Sequence, residues 1–200
     1  FSLSDNSIDI YPDFTRALPV VDANHRELYI SLGAAAENLC TAAHELGYYG
    51  DVSTLSDGNE EYYVHIELEK VEKTYSDSLF EQITKRQTNR KVYTGRKLAD
   101  GTLKVLKGVL LENDTHTYFY RNGDEEFNLL KEFVSRGNEA QMTDNDFKTE
   151  LTSWIRLNKK QVELNRDGLT YDVMGSPSVP QWIGKPIMKY MLTPNTQNKW

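Results

Sequence analysis

Residues 23–48 carry the periodicity of one long helix, and a helix of this length must bury one face against the rest of the molecule. Asp22 or Asn24 can cap it, and Glu27 follows Asn24 at the spacing of a capping box. Residues 33–36 have only small side chains, which allow a second backbone to approach closely. The pattern ends at Gly47, and its apolar positions recur three and four residues apart: Leu28, Leu32, Ala35, Ala36, Leu39, Ala42, Ala43 and Leu46. We interpret this segment as a central helix, buried in the core or, alternatively, packed at an interface between subunits or half-molecules.

The rest of the chain predicts a mixture of further helices with few strands, which is typical of an α+β fold. Residues 62–69 alternate apolar and polar side chains and predict the clearest strand, with His65 on its polar face as a solvated or cross-strand residue. A strand is also expected near the start of the chain. Four more helices and a short strand are predicted, in chain order: helices at 77–86 and 98–111, a strand at 115–120, a helix at 125–136 stopped by Gly137, and a helix at 143–156 capped by Thr143 or Asp144.

Composition excludes several classes of function. The chain of 200 residues carries a net charge of −7, which argues against nucleic acid as a partner. No apolar run is long enough to predict a membrane span. The single cysteine, Cys40, excludes an internal disulfide framework and is interpreted as an inert core thiol, and the four histidines show no metal-ligand spacing. We therefore expect a cytoplasmic protein without a metal site.

One segment departs from this acidic balance. Residues 85–97 contain six basic side chains and no acidic one: Lys85, Arg86, Arg90, Lys91, Arg96 and Lys97. Within it, residues 86–90 place two guanidinium groups around a hydroxyl and two amides, directly after a predicted helix. Such a dense set of donors is what a phosphate monoester requires, although a solvated basic face would give the same charge pattern.

No other motif indicates catalysis by side chains. Neither a GxGxxG fingerprint nor a Walker loop occurs, and no serine has histidine and aspartate neighbours in an elbow motif. If the protein is an enzyme, we expect a cofactor to carry the difficult chemistry.

Two stretches resemble the nitroreductase superfamily of flavin enzymes. Residues 79–93 (LFEQITKRQTNRKVY), followed by the 98–111 helix, look like its phosphate-binding signature, and residues 33–47 (GAAAENLCTAAHELG) look like its long central helix. Their order here is the reverse of that in an ordinary nitroreductase. This order resembles the Acg-type members, in which two halves are fused in one chain that mimics the homodimer. The resemblance implies an incomplete fused-dimer version of the nitroreductase-like α+β fold, with central helices and a small antiparallel sheet.

The same resemblance divides the chain into the C-terminal part of a first half at 1–75 and the N-terminal part of a second half at 76–200. It also implies that the chain is a piece of a longer protein, lacking a flavin-covering loop before Phe1 and further elements after Trp200, and that these 200 residues alone bind FMN weakly or not at all. Residues 165–194, rich in Pro, Gly, Met and aromatic side chains, would then be a lid or an arm.

Carried over residue by residue, the resemblance assigns FMN binding to one polar set: Arg86, Gln87, Thr88 and Arg90 for the phosphate, and Asn138 or Gln141 near the edge of the flavin ring. It implies an oxidoreductase that passes electrons from NADPH or NADH through FMN to a small nitro or quinone-like acceptor, with dimer-like pairing in a fused chain or a homodimer. Two alternatives remain open from the residues: a protein that sequesters FMN with little turnover, and a non-enzymatic module that binds an anionic partner.

Overall fold

The computed structural model of the chain describes residues 1–56, 58, 61–72, 79–88, 90, 93–109 and 115–192. These residues form two compact units, unit 1 (Phe1–Thr88) and unit 2 (Asn89–Trp200). Their boundary lies thirteen residues after the division at 75/76 that the sequence resemblance implies.

Unit 1 is a four-stranded antiparallel sheet with a helix on one face. Its strands have the order β1-β2-β4-β3, so the strand that begins the sheet in sequence lies at one edge and the β3–β4 hairpin at the other. The elements of unit 1 are β1 (Ser2–Leu3), β2 (Ser7–Ile10), a 3-10 turn (Phe14–Arg16), α1 (Arg26–Glu45), β3 (Tyr48–Ser56), β4 (Tyr62–Lys70) and α2 (Phe80–Ile83).

Helix α1 begins where Asp22 supplies the acceptors that the first backbone N–H groups need. Its carboxylate accepts hydrogen bonds from the backbone N–H of Glu27 at 2.9 Å and of Leu28 at 2.8 Å. Burial acts to raise the pKa of Asp22, but the bonds from Glu27 and Leu28 outweigh it and lower the pKa. The side chain of Asn24, the alternative cap, accepts one hydrogen bond, from Arg26 N to its Oδ1 at 3.4 Å. Of the two predicted caps, Asp22 is therefore the one that holds the first turn, although the helix begins at Arg26, three residues later than predicted, and its N-cap position is His25. Gly47 follows the end of the helix with a left-handed φ of 82°.

The core of unit 1 lies between α1 and the apolar face of the sheet. Ile66 of β4 is fully buried and is paired in register with Val52 of β3 and Ile8 of β2. Gly50 lets the helix approach closely, because a Cβ there would lie 3.0 Å from Cys40 Sγ. The buried side of α1 includes Leu32, Ala36 and Ala43, whereas residues 33–35 are exposed. The helix is thus buried on one side only, and the prediction is met in part: Ala35 and Leu46 of the predicted apolar positions are exposed, and no described backbone approaches Gly33.

Unit 2 is mostly helical and contains one pair of parallel strands. Ile155 pairs with Leu169 and Arg156 with Thr170. Its elements are α3 (Asp100–Lys107), α4 (Glu125–Thr143), α5 (Asn145–Trp154), β5 (Ile155–Arg156), α6 (Lys159–Asn165), β6 (Leu169–Thr170) and α7 (Gln181–Met191).

The α+β class and the small antiparallel sheet are confirmed, and several element boundaries are corrected. Helix α4 continues through Gly137 and ends at Thr143. Asp144 caps α5, as predicted, because its side chain accepts from Asp146 N at 2.8 Å and Phe147 N at 3.2 Å. A single glycine costs a helix only about 1 kcal/mol, which the rest of a long helix offsets. Residues 115–120 form no strand, since they join no ladder with a described residue. Helices α2 and α3 are shorter than predicted, although parts of the predicted ranges (77–78 and 110–111) lie outside the described residues.

The segment after residue 165 packs against the rest of unit 2. Val179 N donates to Leu157 O at 2.9 Å, and Tyr171 N donates to Arg156 O at the same distance. Gly184 lies so close to Leu157 that a Cβ there would sit 2.7 Å from its Cδ1. Residues 166–192 therefore pack as part of unit 2, with β6 and α7 as their regular elements, and residues 193–194 of the predicted lid or arm lie outside the described residues.

Candidate functional site

The candidate phosphate site lies just after the short helix α2. Hydrogen bonds from Lys85 N at 3.1 Å and Arg86 N at 2.8 Å to Gln82 O close the last turn. From Arg86 to Thr88 the backbone is neither helix nor strand, and all three side chains are exposed. The structure thus presents three consecutive polar side chains of the predicted set on the surface of unit 1.

The local charge at this position favours an anion. Glu81 is the acidic residue nearest in sequence, and its carboxylate is engaged by Lys85 Nζ at 2.8 Å, one helical turn away. Among the described residues, no carboxylate pairs with the guanidinium of Arg86. A guanidinium without an internal counter-ion keeps its fork of donors available for a phosphate group.

The remaining residues of the predicted set belong to unit 2. Arg90 is exposed. Asn138 and Gln141 lie three residues apart on α4, so they share one helix face, with Asn138 half-buried and Gln141 exposed. The structure therefore groups the predicted residues as Arg86–Gln87–Thr88 on one unit and Asn138–Gln141 on the other.

Unit 2 also contains a groove that sequence reasoning missed. It has a volume of about 830 Å³ and lies between α5, β5 and α7. The sequence did not predict helix α7, which lines the groove, because α7 contains Gly184 and Pro186, and these residues are strong helix-breaking signals. The apolar positions Ile183, Ile187 and Met188, at helical spacing, were the available signal.

Arg156, a buried residue that pairs with the half-buried Asp167, lines this groove. The Nε and Nη2 atoms of Arg156 donate to Asp167 Oδ1 at 3.0 and 2.6 Å, and Nη1 donates to Ser153 O at 2.6 Å. The guanidinium also lies 5.7 Å from the centroid of the Trp154 ring. Arg156 is thus fully engaged in holding β5 to the turn before β6.

A second pair of polar side chains, His65 and Asp9, lies on the open face of the sheet in unit 1. His65 Nδ1 lies 2.6 Å from Asp9 Oδ1, and Ser2 Oγ donates to Asp9 Oδ2 at 3.1 Å. The hydrogen bond from His65 is the main cause that lowers the pKa of Asp9, against burial, which acts to raise it. The prediction of His65 as a cross-strand residue is confirmed, while Asp9 had no sequence signal because its partner is 56 residues away.

Cys40 is half-buried at the interface of α1 and the sheet. Burial raises the pKa of its thiol, and the nearby carboxylate of Glu37 raises it further. Because the thiolate is the reactive form, this agrees with the interpretation of Cys40 as a structural thiol.

Comparison of the chain with models of protein families, with curated proteins and with solved structures found no match. Within the described ranges, none of the helices combines the length and apolar character needed to cross a lipid bilayer. In the same part of the chain, no three His, Cys, Asp or Glu side chains gather closely enough to hold a metal ion.

Proposed function

We propose that the protein is an FMN-dependent oxidoreductase of nitroreductase type, with the nitroreductase-like fold in its fused, two-half form. The observation that carries the proposal is the exposed run Arg86–Gln87–Thr88, whose guanidinium pairs with no carboxylate of the residues that the structure describes. The resemblance of residues 33–47 and 79–93 to that superfamily supports it, as does the α+β architecture with one long helix on a small sheet.

The residues present fit a flavin phosphate. The Arg86 guanidinium would donate to the phosphate oxygens, and the Thr88 hydroxyl and Gln87 amide would supply neutral donors beside it. Arg90 is the second guanidinium of the same sequence motif, and the assignment of Asn138 or Gln141 to the edge of the ring is carried over from the resemblance alone. The cofactor supplies the exchange of electrons between NADPH or NADH and a small nitro or quinone-like acceptor, while the chain binds and orients it.

The proposal is tested with two ligands that differ only in the phosphate. We expect the full-length protein to bind FMN more tightly than riboflavin, and Arg86→Ala to weaken FMN binding about ten- to hundredfold while leaving riboflavin binding unchanged, since each charge-assisted hydrogen bond contributes about 1.5–3 kcal/mol. In the full-length protein, the double variant R86A/R90A should lose FMN retention altogether. Titrations followed by flavin fluorescence measure both affinities.

Arg96→Ala is the matched control, because Arg96 lies in the same basic run but outside the 86–90 motif. If FMN and riboflavin bind equally well, or if flavin occupancy is unchanged in R86A/R90A, the phosphate site is wrong. Stopped-flow reduction of the bound flavin by NADPH and NADH then separates an oxidoreductase from a protein that only sequesters FMN, since the latter would bind the flavin without its being reduced.

A further inference from the structure

We propose that the groove of unit 2 between α5, β5 and α7 binds a small anionic amphiphile, an organic carboxylate with an apolar acyl or aryl body. The groove lies wholly within unit 2 and shares no residue with Arg86–Thr88, so the inference is independent of the proposed flavin site.

The apolar part of the groove can hold a hydrocarbon body. Ile155, Leu157 and Leu192 line it as buried side chains, and Met188 adds a half-buried and flexible one. The volume of about 830 Å³ is within the range of 300 to 1,000 Å³ that is typical of sites for small organic molecules.

The charge in the groove has one sign. Three cationic side chains line it, Lys148, Arg156 and Lys185, and none of the described lining residues is acidic. Arg156 is neutralised by Asp167. Lys148 and Lys185 form no ion pair with a described carboxylate, and Lys148 is half-buried. In a chain of net charge −7, two uncompensated ammonium groups beside an apolar surface favour a ligand that carries a negative charge.

Gln161 adds a neutral donor to the same wall. Its Oε1 accepts hydrogen bonds from Leu157 N at 2.9 Å and Asn158 Nδ2 at 3.3 Å, which fixes the amide and leaves its Nε2 hydrogens for a ligand. A fixed amide donor in a groove that two lysines also line suits a carboxylate, which has several lone pairs to satisfy.

Decanoate is a suitable probe, with decyltrimethylammonium as the probe of opposite charge and acetate as the probe without an apolar body. We expect isothermal titration of the full chain to show saturable binding of decanoate and none of acetate, with affinity falling as sodium chloride is raised. The variant K148A/K185A should bind decanoate about tenfold more weakly, as two partly exposed charge pairs predict. Lys131→Ala, a change to an exposed lysine of α4 outside the groove, is the matched control and should bind like the parent.

A second variant tests the apolar wall without touching the charge. Met188→Trp fills the groove and should abolish decanoate binding while tryptophan fluorescence and thermal unfolding show unit 2 still folded. The proposal is overturned if decyltrimethylammonium binds as tightly as decanoate, or if K148A/K185A and K131A bind decanoate equally. Binding that survives in the folded Met188→Trp variant would overturn it as well.

Discussion

At the scale of single residues, the pair of Asp9 and His65 makes unit 1 sensitive to acid. The pKa of Asp9 is lowered below its ordinary value of 3.8, chiefly by the hydrogen bond from His65. A carboxylate with a lowered pKa contributes stability that is fully present above its ordinary pKa. That contribution is lost as the pH falls through the lower, folded value. The pair therefore ties strand β2 to strand β4 at neutral pH and weakens below about pH 4.

We expect His65→Gln to reduce the loss of stability of unit 1 between about pH 5 and pH 3, because the main cause of the lowered pKa of Asp9 is gone. Asp9→Asn should have the same effect. Since Cys40 is the chain's single cysteine and lies under the sheet, its reaction with dithiodipyridine in urea reports the opening of unit 1. Asp51→Asn on strand β3 controls for the loss of one carboxylate from the sheet. An unchanged acid response in both D9N and H65Q would contradict the assignment.

Gly168 has a left-handed backbone conformation, and its surroundings leave no space for a Cβ atom. Its φ is 78°, and a Cβ would overlap the carbonyl oxygen of Trp154 and lie 3.1 Å from Arg156 Cζ. Gly123, also in unit 2, has φ of 103° and open space around it. Both alanine variants therefore incur the backbone strain, of about 1–2 kcal/mol, but only Gly168→Ala also crowds the buried ion pair.

We expect Gly168→Ala to lower the free energy of unfolding of unit 2 by about 1–3 kcal/mol more than Gly123→Ala does. All three tryptophans belong to unit 2, so urea denaturation followed by tryptophan fluorescence measures this unit. Equal losses in the two variants would mean that the close approach of Trp154 and Arg156 contributes nothing.

At the scale of elements, the sequence predicted those with strong local signals. The periodicity of α1 and the alternation of β4 each extend over many residues, and the Asp144 cap is a contact over two and three residues. Glycine and proline usually end a helix, and here they led to wrong predictions. Helix α4 continues through Gly137, and α7 includes Pro186. Burial of apolar side chains, such as Leu192 beside α7, outweighs these local signals.

The two candidate sites also differ in whether their residues are close together in the sequence. The phosphate motif is contiguous in sequence, so residues 86–88 could be identified as a group, and the structure places them together on the surface. The groove of unit 2 could not be predicted, because Lys148 and Lys185 belong to helices that are distant in sequence. Only packing brings them to one wall.

At the scale of the whole molecule, the division into two units coincides with the basic run. Arg86 and Arg96 are exposed and lie outside regular helices and strands, whereas Arg156 is buried and its guanidinium is held by Asp167. A protease needs an exposed, extended backbone, so these arginines should differ strongly in susceptibility.

Brief digestion with trypsin should therefore cut first after Arg86 or Arg96 and last after Arg156, giving fragments close to units 1 and 2. Mass spectrometry over a time course measures the order of cleavage, and digestion in urea gives the reference in which the bonds are cut at similar rates. Early cleavage after Arg26, the first residue of α1, would contradict the packing of this helix on the sheet of unit 1. Addition of FMN should protect the bond after Arg86, whereas riboflavin should not.

The pairing of β2 with β4 has a consequence for the order in which unit 1 assembles. Helix α1 and the β3–β4 hairpin are neighbours in sequence, so they can meet through short loops. Strand β2 must return across 56 residues to place Asp9 beside His65, and closing a loop of that size has an entropic cost that must be met before the contact is made. We infer that the hairpin and helix assemble first and that the N-terminal strands complete the sheet last.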